Sequence, residues 1–195
     1  MLRGHAEALM PLIENLFDRL DMAPTAIDRV VVTTGPGSFT GLRVGISAAR
    51  GVALAAGKPA IGVSTLQAYA APHIADDPTA PVIAVIDARH NHVYLQTFAP
   101  GGSTAIAPRL APLDEAVRRA VERPARIVGN AAKIVADKAI AMRALPIVID
   151  NRAAPDIAWV ASTGAAMPEE QAPPKPLYLR APDAQPQHAA QLPRR

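Results

Sequence analysis

The sequence predicts an α/β protein built as two lobes. Three observations carry that reading. Apolar, β-rich runs alternate with helical runs along most of the chain, as they do where helices join the strands of a sheet. The composition turns to loop once near the middle, at Asp76-Asp77-Pro78, which divides a first lobe at 1–78 from a second at 79–180. Half of the 195 residues are apolar while the aromatics amount to one Trp, three Tyr and three Phe, so a core of real size must be built from Ala, Val, Leu and Ile.

Residues 5–20, HAEALMPLIENLFDRL, place Ala6, Leu9, Met10, Ile13, Leu16, Phe17 and Leu20 three or four apart, which predicts an amphipathic helix. Pro11 should kink that helix or mark where its regular part begins. DRVVVTTG at 28–35 reads as a buried strand and LRVGISAARGVALAA at 42–56 as a helix. A short strand at 60–63 precedes a helix from about Ser64. In the second lobe PVIAVIDARHNHVYLQTFA (81–99) has two β-rich runs about a polar centre, a hairpin turning near Arg89 to Asn91. A helix (113–122), a strand (126–129), a helix (131–142), a strand (146–149) and a helix (156–165) follow, with a last short strand at Leu177 to Leu179. From Ala181 to 195 the Pro, Gln and Ala residues show no periodicity and predict a disordered tail. No repeat at solenoid spacing is present.

The first lobe holds only two clear strands, too small a sheet to cover its helices. The strand at 29–34 is apolar throughout, as a central strand with neighbours would be. The reading therefore expects antiparallel strands upstream of Met1, which would make Met1 an internal methionine of a longer protein.

Cysteine is absent, which excludes disulfides and thiolate metal sites and fits a reducing compartment. The N-terminus lacks a charged-then-apolar signal pattern, and no apolar run approaches a membrane span, so a cytoplasmic protein without membrane contact is expected. The formal charge is +3 and the pI about 9.6, with arginine supplying most of the positive charge. Arg118, Arg119, Arg123 and Arg126 crowd one segment and Arg194-Arg195 close the chain. That excess permits contact with nucleic acid or phosphate without establishing it, and solvated arginine is the better account.

TTGPGSFTGLRVG (33–45) is the most organised stretch. A Walker loop requires Gly-Lys-Ser/Thr, whereas Gly41 is followed by Leu42. The dinucleotide fingerprint requires Gly-x-Gly-x-x-Gly, and Gly35, Gly37 and Gly41 are spaced one residue too far. Pro36 also removes an N–H that an anion would use. Ser38 or Thr40 can still cap the following helix, whose N-terminus attracts anions. Arg43 lies against that dipole, which costs roughly 0.3–1 kcal/mol unless an anion or acidic partner compensates. Two readings stay open: Gly35, Gly37, Ser38, Thr40 and Arg43 contact an anion, or the loop is only a turn with Arg43 in water. Along the helix Gly41, Gly45, Ala48, Val52 and Ala55 form a smooth face that another helix could approach closely. Together with Leu9, Ile13, Leu16 and Phe17 of the first helix, it offers more apolar helical surface than two strands can bury, and part of it is expected to face a partner.

His90-x-His92 could offer two imidazoles to a metal, but no third ligand follows at a workable spacing, and a hairpin turn is the better account. Asp87 and Arg89 should pair across or cap that turn. No Ser-His-Asp order is defensible, so no catalytic residue and no metal ligand is assigned.

The loop GPGSFTGLRVG (35–45) resembles the signature of the TsaB (YeaZ) family, a subunit of the bacterial machinery that makes threonylcarbamoyladenosine in tRNA. The likeness extends over RGHAEALMPLI (3–13), VSTLQAYA (63–70), VIDARHNHVY (85–94) and PLYLR (176–180), nearly the whole chain. It implies an actin/Hsp70-like (ASKHA, ribonuclease H-like) two-lobed fold, with an N-lobe lacking the β-meander that opens other members. It also implies a non-catalytic partner of a TsaD-like transferase, which modifies adenosine 37 of tRNAs reading codons that begin with A. A TsaE-like ATPase would join them, the chain alone would form a homodimer, and tRNA would be met only indirectly. ATP and Mg would be used by the partner subunits, with no cofactor on this chain. The docking contact would be made by the helices at 5–20 and 42–56, through Leu9, Ile13, Leu16, Phe17, Gly41, Gly45, Ala48 and Val52. The glycine loop would then start a docking helix instead of gripping phosphate. The competing readings are a stand-alone ASKHA-type ATPase or kinase, a glycoprotease-like hydrolase, and a generic ligand-binding domain. The first needs early-strand carboxylates and phosphate loops from both lobes. The second needs His-x-x-x-His, whereas Leu9 stands four residues after His5.

Overall fold

The structure, a computed structural model, describes residues 5–180, with side chains from Glu7 onward. The predicted tail at 181–195, with Arg194-Arg195, lies outside the described residues.

The first lobe opens with helix α1 (His5–Arg19), which runs through Pro11 as one helix. A 3-10 turn (Pro24–Ala26) leads to β1 (Val30–Gly35), α2 (Phe39–Ala56), β2 (Ala60–Ser64) and α3 (Thr65–Asp76). β1 and β2 pair in parallel from Val30–Ala60 to Thr33–Val63. Among the described residues β1 pairs with a strand on one side only, and Val30 to Thr33 are half-buried. Helix α2 begins three residues before the predicted Leu42 because Ser38 caps it, and it ends at Gly57, whose left-handed φ of 65° turns the following Lys58 N–H back to the Ala53 carbonyl. Its buried stripe, Leu42, Ile46, Ala49, Ala53 and Ala56, recurs at three and four residues and packs toward β1.

The stretch after α3 contains β3 (Val82–Asp87), β4 (His92–Phe98), β5 (Thr104–Pro112), α4 (Leu113–Glu122), β6 (Arg126–Val128), α5 (Ala132–Ala141), β7 (Val148–Asp150) and α6 (Ile157–Ala165). Its sheet has the order β5-β4-β3-β6-β7, with β4 antiparallel to both its neighbours and β3, β6 and β7 parallel. The central strand β3 serves two cores through the alternation of its side chains. Ile83 and Val85 join α4 and α5 through Ala116, Val117, Val135 and Ala136. Val82, Ala84 and Ile86 pack on Leu66, Tyr69 and Ala70 of α3. That double burial explains the unbroken apolar run VIAVI.

Two predicted features change. Strand β5 was not anticipated: Pro108 and Pro112 argue against a strand, yet β5 is the sheet edge, where a missing N–H is tolerated. No strand forms at Leu177–Leu179, because Pro173, Pro174 and Pro176 remove the donors a ladder needs. The segment instead crosses the first sheet with isolated bonds, from the Gly62 N–H to the Ala172 carbonyl and from the Leu177 N–H to the Thr34 carbonyl, each 2.8 Å.

The chain returns to the first sheet through α6. Val160 joins Val63 and Ala68 in a third core, with Val31 against it. α2 and α6 thus both pack on β1, and the Cβ vectors of Gly45 and Gly164 point at Val32 and Val31 respectively, whose side chains alternate across the strand.

Candidate functional site

The glycine loop lies where β1 hands over to α2. Gly35 has φ of 111°, and a Cβ there would stand 2.9 Å from Leu42 Cδ1 and 3.0 Å from the Leu177 carbonyl, so only glycine fits. Gly37 and Gly41 meet nothing closer than 3.9 and 3.5 Å, and geometry does not demand them. Ser38 Oγ accepts the Gly41 N–H at 3.3 Å, so Ser38 is the cap; Thr40 lies exposed in the first turn.

Arg43 does not extend freely into water. Its guanidinium carbon lies 4.0 Å from the centroid of the Phe39 ring, and its Nε donates to the Tyr178 hydroxyl at 3.3 Å. Phe39 and Tyr178 stack with centroids 5.1 Å apart. The negative face of an aromatic ring supplies the compensation that the sequence reading assigned to an anion or acid, worth about 0.5–1 kcal/mol at an exposed site.

The docking residues predicted on the two helices separate into covered and open sets. α1 packs on α2, and Leu9, Ile13 and Phe17 are half-buried, as are Gly45, Ala48 and Val52. Part of each helix's small or apolar stripe is therefore used within the chain. Gly41 is exposed, and Leu16 is 56% exposed beside Leu12 at 61% and Leu20 at 59%. Leu12 and Leu16 on α1 and Leu20 in the turn just after it recur every four residues on one side, with Met10 also exposed at the other border of the apolar arc. The apolar arc of α1 is wider than α2 covers.

In the β3–β4 turn, Arg89, His90 and Asn91 all adopt left-handed φ of 50–62°. Asp87 Oδ1 accepts the Arg89 N–H at 2.8 Å, so Asp87 caps the turn through backbone and not through the Arg89 side chain. Asn130 Oδ1 accepts the Asp87 N–H at 2.8 Å, and His92 Nδ1 lies 2.7 Å from the His90 carbonyl. The pair His90 and His92 thus belongs to the turn. Among the described residues no group of three or more His, Cys, Asp or Glu is placed to hold a metal ion.

Sequence reasoning missed a polar network between α3 and the ends of β6 and β7. His73 Nε2 meets Asp150 Oδ2 at 2.9 Å, and Arg152 Nε lies 3.1 Å from the same oxygen. The Tyr69 hydroxyl donates to the Arg152 carbonyl, and burial, with Asp150 nearby, pushes its pKa up to about 12. Arg126 is buried and bonds the His73 carbonyl, Asp76 and Asp77. Asp77 is held below the ordinary carboxylate range, first by the Thr79 hydroxyl, then by the Thr79 N–H, and less by Arg126. Sequence spacing carries no trace of contacts between residues some fifty to eighty positions apart.

The model of the family TsaD, tRNA N6-adenosine threonylcarbamoyltransferase, matches residues 1–172. Uncharacterized proteins of Mycobacterium bovis and Mycobacterium tuberculosis are 35% identical over 94% of this chain and 79% of their own length. The tRNA threonylcarbamoyladenosine biosynthesis protein TsaB of Escherichia coli is 39% identical over 47% of this chain and 40% of its own. A crystal structure from Pseudomonas aeruginosa, described as similar to peptidase YEAZ, superposes with a TM-score of 0.71 and 28% identity, covering 91% of this chain and 85% of that one. The architecture is accordingly the actin-like α/β fold of these proteins. With a model matched over residues 1–172 and YeaZ structures aligned over nine-tenths of its length, the chain belongs to the TsaD family and, within it, to the TsaB/YeaZ branch.

Proposed function

We propose that this chain serves the synthesis of threonylcarbamoyladenosine at position 37 of tRNA as the non-catalytic subunit that docks on a TsaD-type transferase. Relatives from Escherichia coli and Haemophilus influenzae named as TsaB biosynthesis proteins support the general role. The observation that carries the docking reading is the exposed row Leu12 and Leu16 on α1 with Leu20 in the turn just after it, next to a helix whose accessible positions include Gly41, Ser47 and Gly51. Fully burying a leucine is worth about 1.5–3 kcal/mol, so covering the open half of three contributes on the order of 3 kcal/mol before polar and entropic costs. In this reading a TsaE-type ATPase joins the pair, ATP and Mg are used by the partners, and tRNA reaches this subunit only through them. Alone, the chain pairs with itself through the same face, in the cytoplasm. The glycine loop sets the start of the docking helix, and Arg43 is held by rings instead of by an anion.

Leu16→Arg tests this better than a change at Ile13 or Ala48, which would also disturb packing between α1 and α2. The full chain and its Leu16→Arg variant are mixed with the TsaD-type subunit of the same organism and analysed by size exclusion with light scattering. Ile134→Arg, at an exposed position of α5, is the control. The expected result is loss of the complex for Leu16→Arg alone, with loss of modified adenosine in a reconstituted reaction. A natively folded Leu16→Arg chain that assembles at the wild-type ratio would place the interface elsewhere.

A further inference from the structure

We infer that residues 172–180 are a strap that couples the glycine loop and first turn of α2 to the Asp87–His92 turn of the second lobe. Its course is built in at four points. The Ala172 carbonyl accepts the Gly62 N–H, and the Leu177 N–H donates to Thr34 at the end of β1. Tyr178 stacks on Phe39 and accepts from Arg43, both in the first turns of α2. Arg180 Nη1 donates to the Ala88 carbonyl at 2.9 Å, inside the β3–β4 turn.

The first sheet is shaped to receive this segment. A Cβ on Gly62 would stand 2.7 Å from the Pro173 carbonyl and 3.1 Å from Pro174 Cα, and one on Gly35 would stand 3.0 Å from the Leu177 carbonyl. Glycine at both positions opens the channel in which the strap lies. Pro173, Pro174 and Pro176 fix φ along it, so the strap behaves as a short stiff rod and loses little freedom on binding. From Tyr178 to Arg180 the backbone spans at most about 7 Å, so the contacts of the two residues are close together along the chain. A movement of the Asp87–His92 turn is therefore transmitted through Arg180 to Tyr178, and so to Phe39, Arg43 and the helix beside the docking row. Tyr178 and Arg180 act as positioning residues. The consequence for docking rests on the proposed function; the coupling itself does not.

The test is hydrogen–deuterium exchange on the purified full chain and on Tyr178→Ala, Tyr178→Phe and Arg180→Ala. Tyr178→Ala should speed exchange at amides 41–46, including the Leu42 N–H bonded to Ser38, by about tenfold through local opening. Tyr178→Phe keeps the ring contact and should retain most of that protection. Arg180→Ala should raise exchange at 88–93 and, by transmission, at 41–46. Unchanged exchange at 41–46 in Tyr178→Ala, or an Arg180→Ala effect confined to 88–93, overturns the coupling. Affinity of the same variants for the TsaD-type subunit is measured separately. If exchange behaves as stated and affinity is unaltered, the strap stands and its link to docking falls.

Discussion

Replacing Gly164 with alanine should loosen the helix that buttresses β1. A Cβ at this position would lie 2.3 Å from Val31 Cγ1, 2.7 Å from Cγ2 and 3.1 Å from Cβ. Val31 is β-branched and stiff at χ1, so rotation of its side chain cannot clear all three contacts. Reaching an ordinary separation requires α6 to lift by roughly 1 Å, since interiors packed like crystals do not yield smoothly. Lifting α6 stretches the bonds by which Arg29 Nη1 holds the carbonyls of Gly164, Ala165 and Met167 at 3.1–3.2 Å. It also draws Val160, 2% exposed, away from Val63 and Ala68. Overpacking costs typically 1–3 kcal/mol, and a contact this close belongs at the upper end. The opposing gain from replacing glycine in a helix is at most about 1 kcal/mol. The expected net loss is about 2 kcal/mol, which shifts a urea midpoint downward by about 1 M if m is near 2 kcal/mol/M. Adding Val31→Ala removes the obstructing methyls and should recover part of the loss, a coupling that two independent effects would not show. If Gly164→Ala unfolds at the same or higher urea than the parent chain, the reasoning about this contact is wrong.

Three further outcomes follow from polar groups. Arg29→Met should lower stability by about 1–2 kcal/mol, because three carbonyls lose their common donor, and denaturant unfolding reads it directly. Tyr69 holds its proton to about pH 12 in the folded chain, so the unfolded chain ionises first and stability falls as pH rises above 10; Tyr69→Phe should remove the high-pH phenolate absorbance step and flatten that loss. Asp77 is shifted down, so its contribution is present above the ordinary carboxylate pKa and disappears as pH falls through its lowered value. Thr79→Val removes the largest cause of the shift, and its stability difference from the parent, followed by thermal unfolding from pH 7 to 3, should shrink toward the acid end.

The periodic elements were legible because periodicity reports burial. The β-rich run VIAVI marked a strand, and β3 is that strand, lying between one core shared with α4 and α5 and another shared with α3. The alternation of helix and strand located α4, β6, α5 and β7 to within two residues. What failed was governed by position in the sheet. TAIAPRLAP carries two prolines, and its status as an edge strand is decided by β4 beside it, not by its own residues. PLYLR has the alternation of a strand, but three prolines upstream and a path across the sheet leave it with single bonds.

The site was legible in its residue types and not in its pairings. Arg43 at a helix N-terminus poses an electrostatic problem whose answer the sequence holds only in part: the Phe39 ring is four positions away, but the Tyr178 hydroxyl is 135 positions away. The same limit applies to α1. Its leucines, isoleucine and phenylalanine form one arc by spacing, and only the packing of α1 on α2 divides it into Leu9, Ile13 and Phe17, half covered, and Leu12, Leu16 and Leu20, left open. That division changes what each residue can report. A charge placed at Ile13 or Ala48 tests the fold and the contact together, whereas one at Leu16, 56% exposed, meets mostly solvent in the free chain. The open row and the ring-held arginine lead in one direction. In this loop the helix cap is taken by Ser38 and the nearby cation is held by Phe39 and Tyr178, which supports the proposed docking role over an anion site.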